Sequence, residues 1–233
     1  MREIICEQGS AQWLEARLGK ITASRIVDVM GKLKNGGENA DRRGYRMELI
    51  AERLTRRTKN HFVTPAMAWG SEMEAFARAE YEIEQDVMVN TAGFVLHPHL
   101  DFAGASPDGL VGNDGGLEIK APETTTYLKW LFDEGVVPAE HRPQMYWNMV
   151  CCERQWWDFQ AYEPRLEDGL KKSFTRRLPR DEEICQQIEA EVIIFNGEVE
   201  QGVEFARRVL AETPSHRRSS LDELMAMAGE LIP

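Results

Sequence analysis

Three side chains spaced ten and two residues apart carry the chemistry this chain offers: Asp108 in Ser106-Pro107-Asp108-Gly109, then Glu118 and Lys120 in Leu117-Glu118-Ile119-Lys120. Metal-dependent cleavage of a phosphodiester needs such a trio. A hard cation such as Mg²⁺ takes carboxylate, carbonyl and water oxygens and leaves positions for the phosphate oxygens of a substrate. Asp108, Glu118 and the backbone carbonyl of Ile119 make such a set. The ion polarises phosphorus and lowers the pKa of a bound water, while an ammonium beside it orients that water and offsets the growing negative charge. Lys120 suits this role.

A strand and a hairpin must position these groups. Side chains alternate along a strand with period two, so Leu117 and Ile119 enter a core while Glu118 and Lys120 share the other face. The turn Gly112-Asn113-Asp114-Gly115-Gly116 has hairpin composition and would return Glu118 beside Asp108. The same residues also suit a plain amphipathic strand, since Asp-Gly is a common turn dipeptide and outward Glu and Lys are ordinarily solvated. Short motifs carry that ambiguity, and the rest of the chain has to decide it.

At 233 residues, 42% hydrophobic and 29% charged, the sequence has the composition of a soluble globular domain with ample material for a core. No apolar run approaches the roughly 18 residues of a membrane helix, and Met1 to Cys6 lacks a signal-peptide core. The expectation is a cytosolic protein. Four cysteines without a Cys-x-x-Cys pair read as buried thiols, and His97-Pro98-His99 as a loop. The net charge of −11 argues against a protein that coats DNA nonspecifically. Its distribution is uneven: residues 1–60 hold 13 Lys and Arg against 8 Asp and Glu, and residues 61–233 hold 15 against 31. The basic first third is either a local DNA track or a solvated helix face.

Capping signals place the elements. Ser10 caps a helix through Trp13 and Arg17 that Gly19 stops, Thr22 a second through Met30, and Asp41 begins a long one to Arg57. Thr64-Pro65 opens another bearing Met67, Trp69 and Glu74. Strands are expected at Gly93 to Leu96, Leu110-Val111, Leu117 to Ala121 and Trp156 to Tyr162, with helices over Tyr127 to Phe132 and Pro143 to Cys152. Asp181 to Glu212 reads as one long acidic helix with Gly197 and Gly202 as weak points. The fold class is α/β: a single domain over 1–213 with a central mixed β-sheet flanked by α-helices. Residues 214–233 read as a linker and an amphipathic C-terminal helix, with a Ser220/Glu223 capping box. No Gly-rich phosphate motif of the Walker or dinucleotide type is present.

In this order the pieces resemble the lambda-exonuclease, or YqaJ-type viral recombinase, family within the PD-(D/E)xK nuclease superfamily, from about Glu7 to Arg165. The landmarks are Gln12-Trp13-Leu14-Glu15-Ala16-Arg17-Leu18-Gly19, Ile21-Thr22-Ala23-Ser24, and Ala68-Trp69-Gly70 leading to Glu74. Ser106-Pro107-Asp108-Gly109, Leu117-Glu118-Ile119-Lys120 with Pro122, and a helical Gln144 follow. His141-Arg142-Pro143 departs from the pattern, and the chain after residue 213 lies beyond it.

The resemblance implies a Mg²⁺-dependent deoxyribonuclease, with Mn²⁺ as a substitute taking the same oxygen ligands. It would digest one strand of linear duplex DNA from the 5′ end and leave a 3′ single-stranded tail. Asp108, Glu118 and the Ile119 carbonyl would be metal ligands, Lys120 the catalytic lysine, and Glu74 and Gln144 helpers around the reacting water. Arg17, Ser24 and Ser106 match positions that receive the terminal 5′-phosphate, and arginine suits a phosphate bidentately. Arg17 as a surface charge is the other reading. Met67 stands where the family places an apolar wedge between separating strands, or it fills a packing gap. Trp13 would stack near a splayed base or belong to the core. The implied setting is a ring of three subunits acting with a single-strand annealing protein, phage- or prophage-encoded in the bacterial cytoplasm.

Overall fold

The front of the chain is organised by its caps. In the computed structural model, described over residues 1–33, 36–58, 64–133 and 135–211, strand β1 (Arg2–Ile4) precedes helix α1 (Ala11–Arg17). Ser10 caps α1 by accepting the Trp13 N–H, and Gly19, at φ 68°, turns the chain away. The next stretch differs from the single helix expected. Ile21–Thr22 is strand β2, after which a 3₁₀ turn over Ala23–Arg25 leads into the short α2 (Ile26–Val29). Sheet pairing holds Thr22 extended, and its hydroxyl makes no cap. Asn39, rather than Asp41, caps α3 (Ala40–Thr55). Thr64 caps α4 (Pro65–Gln85) through the Met67 N–H, with Pro65 in the first helical position as its fixed φ favours.

Short strands then alternate with turns: β3 (Val89–Asn90), β4 (Phe94–Leu96), β5 (Ala103–Ala105), β6 (Gly109–Val111) and β7 (Gly115–Lys120). Helices α5 (Thr124–Phe132) and α6 (Arg142–Cys152) follow, then β8 (Trp156–Tyr162), β9 (Ser173–Pro179) and α7 (Glu182–Ala211). The strands build two sheets, β1-β4-β5-β2 and β3-β6-β7-β8-β9. The chain passes from one to the other at Ser106-Pro107-Asp108, where Pro107 has no N–H with which to extend a ladder. The second sheet is mixed, β7 pairing antiparallel with β6 and parallel with β8.

Both faces of that sheet are covered. Met73, Ala77 and Tyr81 of α4 pack on Val111, Leu117 and Ile119. On the other side Met145 and Trp147 of α6 join Trp157 and Phe159 of β8 and Val192, Phe195 and Val199 of α7 in the larger core. Helix α7 runs 30 residues without a break through Gly197 and Gly202. Gly202 is a close-approach position: a Cβ there would meet Ile50 Cδ1 of α3 at 2.3 Å, whereas one at Gly197 would meet nothing within 4 Å. None of the described helices is long and apolar enough to cross a membrane. The linker and helix expected over 214–233 lie outside the described residues.

Candidate active site

The hairpin forms as its composition requires. Val111 pairs with Gly115 across the turn and Gly109 with Leu117, and Gly112 takes φ 53°. Just before the first paired residue of β6, Asp108 continues the ladder with its side chain, Oδ2 accepting the Ile119 N–H at 2.7 Å. A strand residue points its N–H and C=O to the same edge, so the Ile119 carbonyl also faces Asp108. Leu117 and Ile119 enter the α4 core as alternation dictates. Of their neighbours, Lys120 stays partly exposed, but Glu118 does not reach bulk solvent as a plain amphipathic strand would have it do. Glu118 is 0% exposed, because α6 closes over the face that it shares with Lys120.

Three donors hold Glu118. Lys120 Nζ is ion-paired with Oε1, Gln144 Nε2 donates to Oε1 at 2.6 Å, and Asn148 Nδ2 donates to Oε2 at 3.2 Å. Gln144 and Asn148 lie one turn apart on α6, on the same helical face. Asn148 was not anticipated. Its signal was a second carboxamide four residues after Gln144, inside an otherwise apolar helix. Glu74 lies on α4, paired with Arg78 one turn along.

Burial dominates the electrostatics. It pushes the Glu118 carboxyl up to about 7; the Asp108 charge adds to this rise, and the Lys120 ammonium opposes it. Burial also raises Asp108, against Lys120 and the Ile119 N–H. Glu74 is raised by burial and then by Asp108, with Arg78 and Lys120 opposing. Burial works against the Lys120 ammonium, but Glu118 and Asp108 outweigh it and hold Lys120 above its ordinary value. A buried and a half-buried carboxylate that resist ionising together, beside a lysine that stays charged, form a site whose charge a divalent cation would complete.

The donor set fits a particular kind of cation. Among the described residues no three His, Cys, Asp or Glu side chains converge into a cage. Two carboxylates and the Ile119 carbonyl therefore leave most of a shell to water and substrate, which is how Mg²⁺ is usually held and zinc is not.

A second group lies two residues upstream. The Ser106 hydroxyl accepts from Trp13 Nε1 at 2.8 Å and from Arg17 Nη1 at 3.2 Å, and the Arg17 guanidinium stacks 4.0 Å over the Trp13 ring. Burial pulls Arg17 below the ordinary arginine value, so it is no plain surface charge. Ser24 is exposed and touches neither. It leaves the same end of the parallel β2–β5 pair as Ser106, each two residues past the paired Thr22 and Gly104. Trp13 is half-buried and joins this group rather than the core. Met67 is 54% exposed in the first turn of α4 and fills no packing gap; seven residues ahead of Glu74, it shares that helical face.

The basic first third is largely neutralised in the fold. Arg42 pairs with Glu191 and Glu198, Arg46 with Glu38 and Glu198, and Arg25 with Asp28 and Glu48. Arg42 and Arg46 thus fasten α3 to α7.

Known proteins resemble this chain in sequence and fold. The YqaJ-like viral recombinase domain matches residues 12–155. The crystal structure of an alkaline exonuclease from Laribacter hongkongensis is 40% identical, covering 88% of this chain and 100% of its own, with a TM-score of 0.80. The same exonuclease in complex with dAMP superposes with a TM-score of 0.81 at the same identity and coverage. A phage-related exonuclease from Haemophilus somnus shares the fold at 13% identity and a TM-score of 0.63, over 80% of this chain and 96% of its own. No curated protein matches the sequence.

Proposed function

Because this chain belongs to the YqaJ-like viral recombinase family, we propose that it is a Mg²⁺-dependent exonuclease. It digests one strand of linear duplex DNA from the 5′ end and leaves a 3′ tail for single-strand annealing recombination. The observation that carries the reading is the trio of Asp108 on the Ile119 N–H and the buried Glu118 held at once by Lys120, Gln144 and Asn148. A structural ion pair would not require two further donors under a helix beside a second raised carboxylate.

Mg²⁺ held by Asp108, Glu118 and the Ile119 carbonyl would polarise the scissile phosphate and lower the pKa of the attacking water. Around it, Lys120 keeps a charged ammonium at the place where negative charge grows. Gln144 and Asn148 fix the Glu118 carboxylate, and Glu74 lies within electrostatic reach of Asp108 and Lys120. Arg17 and Ser106 receive the 5′-phosphate, with Ser24 at the rim and Met67 exposed to part the strands. Since Ser106 and Asp108 are two residues apart, their Cα atoms lie at most about 7 Å from each other. A terminal phosphate bound at Ser106 therefore puts the next phosphodiester near Asp108, which favours release of mononucleotides. The dAMP complex of the Laribacter exonuclease agrees with such a product.

A ring of three copies threaded by DNA would keep this acidic chain on its substrate, and Phe76 and Ile83, exposed one heptad apart on α4, offer it an apolar surface. A single-strand annealing protein would take up the tail in the bacterial cytoplasm.

The test is digestion of linear duplex labelled separately at the 5′ and 3′ ends, with closed circular duplex as control, in Mg²⁺, Mn²⁺ and EDTA. Early release of the 5′ label with the circle intact is expected. Cutting of the circle would make the protein an endonuclease, and early loss of the 3′ label would reverse the polarity.

A further inference from the structure

Away from the catalytic trio, a cleft of about 430 Å³ opens between the α1–β2 turn, the end of α3 and the last turns of α7. Four cations line it: Lys20, Arg53, Arg56 and Arg207. They differ from Arg42, Arg43 and Arg46 of α3, which are drawn onto glutamates. None of these four is in an ion pair among the described residues.

Arg53 shows the difference most clearly. Its Nε donates to the Gly19 carbonyl at 2.9 Å and its Nη2 to Asn196 Oδ1 at 2.7 Å. Both partners are neutral, so the guanidinium is fixed in place without losing its charge. Gly19 allows this approach, since a Cβ there would stand 3.0 Å from Arg53 Cγ. Next in sequence, Lys20 faces Arg53, and its ammonium is pulled below the ordinary value by burial and then by that guanidinium, with Asp101 opposing. Like charges are thus brought together around open space.

Acids are present but partly engaged. Asp101 is paired with Arg2 at 2.6 Å, and Glu200 accepts the Asn196 amide at 3.0 Å. Glu204 also lines the cleft, and the balance stays positive. The location gives the cleft a direction, because the Lys20 N–H donates to the Arg17 carbonyl at 3.0 Å in a single tight turn. The cleft therefore begins one turn of chain from the guanidinium on Ser106.

We propose that this cleft binds the sugar-phosphate backbone of duplex DNA as it approaches the end held at Arg17. The inference rests on the exonuclease reading for the direction of approach, but not for the binding itself. Closely set cations without a carboxylate partner among the described residues, one of them fixed by neutral groups, suit a repeating anion.

The test is equilibrium binding of linear duplex in EDTA, across a series of salt concentrations, for the full chain and for Lys20→Ala/Arg56→Ala/Arg207→Ala. Arg53 is left in place because it anchors Gly19. The variant should bind roughly tenfold or more weakly near physiological salt, and the slope of log K against log salt should shrink by about 2 to 3. The charge-preserving variant Lys20→Arg/Arg56→Lys/Arg207→Lys should restore both, which separates lost contacts from misfolding. Unchanged affinity and slope would overturn the proposal. So would unchanged DNA binding with an altered oligomeric mass, which would make the cleft a subunit contact. If the wild type binds duplex with the steep slope yet digests nothing, the exonuclease reading fails and the cleft stands. If it digests and the alanine variant binds like wild type, only the cleft fails.

Discussion

Glu118 is the most constrained side chain of the candidate site, and its constraints make separable predictions. Lys120→Ala should abolish digestion while duplex binding in EDTA stays within a few-fold of wild type; residual digestion near the wild-type rate would remove Lys120 from the chemistry. Asn148→Ala takes away one donor to Glu118 without touching the trio. The expected loss is roughly ten- to hundredfold in rate or in Mg²⁺ affinity, the usual cost of removing a group that orients a ligand. A Mg²⁺ titration of the digestion rate reads it, and an unchanged curve would mean that Lys120 and Gln144 hold Glu118 unaided. Asp108, Glu118 and Lys120 were legible in the sequence because strand period and hairpin composition are local. Asn148 and the Trp13 contact to Ser106 were not, since each joins residues 30 and 93 positions apart across tertiary contacts.

Among the elements, α7 shows what a sequence can and cannot reveal. Gly197 and Gly202 look alike there, both as helix-weakening residues. In the fold Gly197 has open space, so Gly197→Ala should stabilise the protein by about 0.5 to 1 kcal/mol through helix propensity. Gly202→Ala gains the same propensity but drives a methyl into Ile50 Cδ1. It should be neutral to destabilising by about 1 to 3 kcal/mol, and Ile50→Val, which deletes that atom, should turn it favourable. Urea denaturation of the four combinations reads the coupling; strict additivity would mean that the helices part freely. The same tension explains the strands that went unseen. Ala103-Gly104-Ala105 lacks strand-forming residues because a Cβ on Gly104 would meet Phe94 Cζ at 2.5 Å and the Val95 carbonyl at 2.6 Å. In β9 the basic pair Arg176-Arg177 disguises a strand, since Arg176 reaches the Trp130 and Val136 carbonyls and Arg177 the buried Asp158. By contrast α1 and α4 were legible through Ser10 and Thr64-Pro65, whose caps need only the neighbouring turn.

Across the whole molecule, ionisable groups inside the fold tie stability to pH. His97 is 1% exposed and stacks on Trp147 with ring centroids 5.2 Å apart. Its Nδ1 accepts the N–H groups of both His99 and Leu100, at 3.2 and 3.1 Å. A proton on Nδ1 would break both bonds, so the imidazole stays neutral even though Glu189 stands 3.2 Å from Nε2. Burial, with His99 and Arg2, lowers its pKa to about 4. The linkage sign follows: between the ordinary value near 6.5 and about 4 the unfolded chain binds a proton that the fold refuses. The His97 contribution is therefore fully present above pH 6.5 and falls away as pH drops, by up to about 3 kcal/mol. Glu118, raised to about 7, acts in the opposite direction over the same window, since the fold binds its proton more tightly than the unfolded chain does. Total stability mixes the two, and a variant must isolate the histidine. His97→Asn keeps an oxygen acceptor near Nδ1 and does not titrate. It should be less stable at pH 7, having lost the stacking on Trp147, and should lose less stability than wild type between pH 6.5 and 4.5. Urea unfolding of both proteins at these two pH values makes the comparison, and equal losses would show that His97 takes up its proton without disturbing the fold.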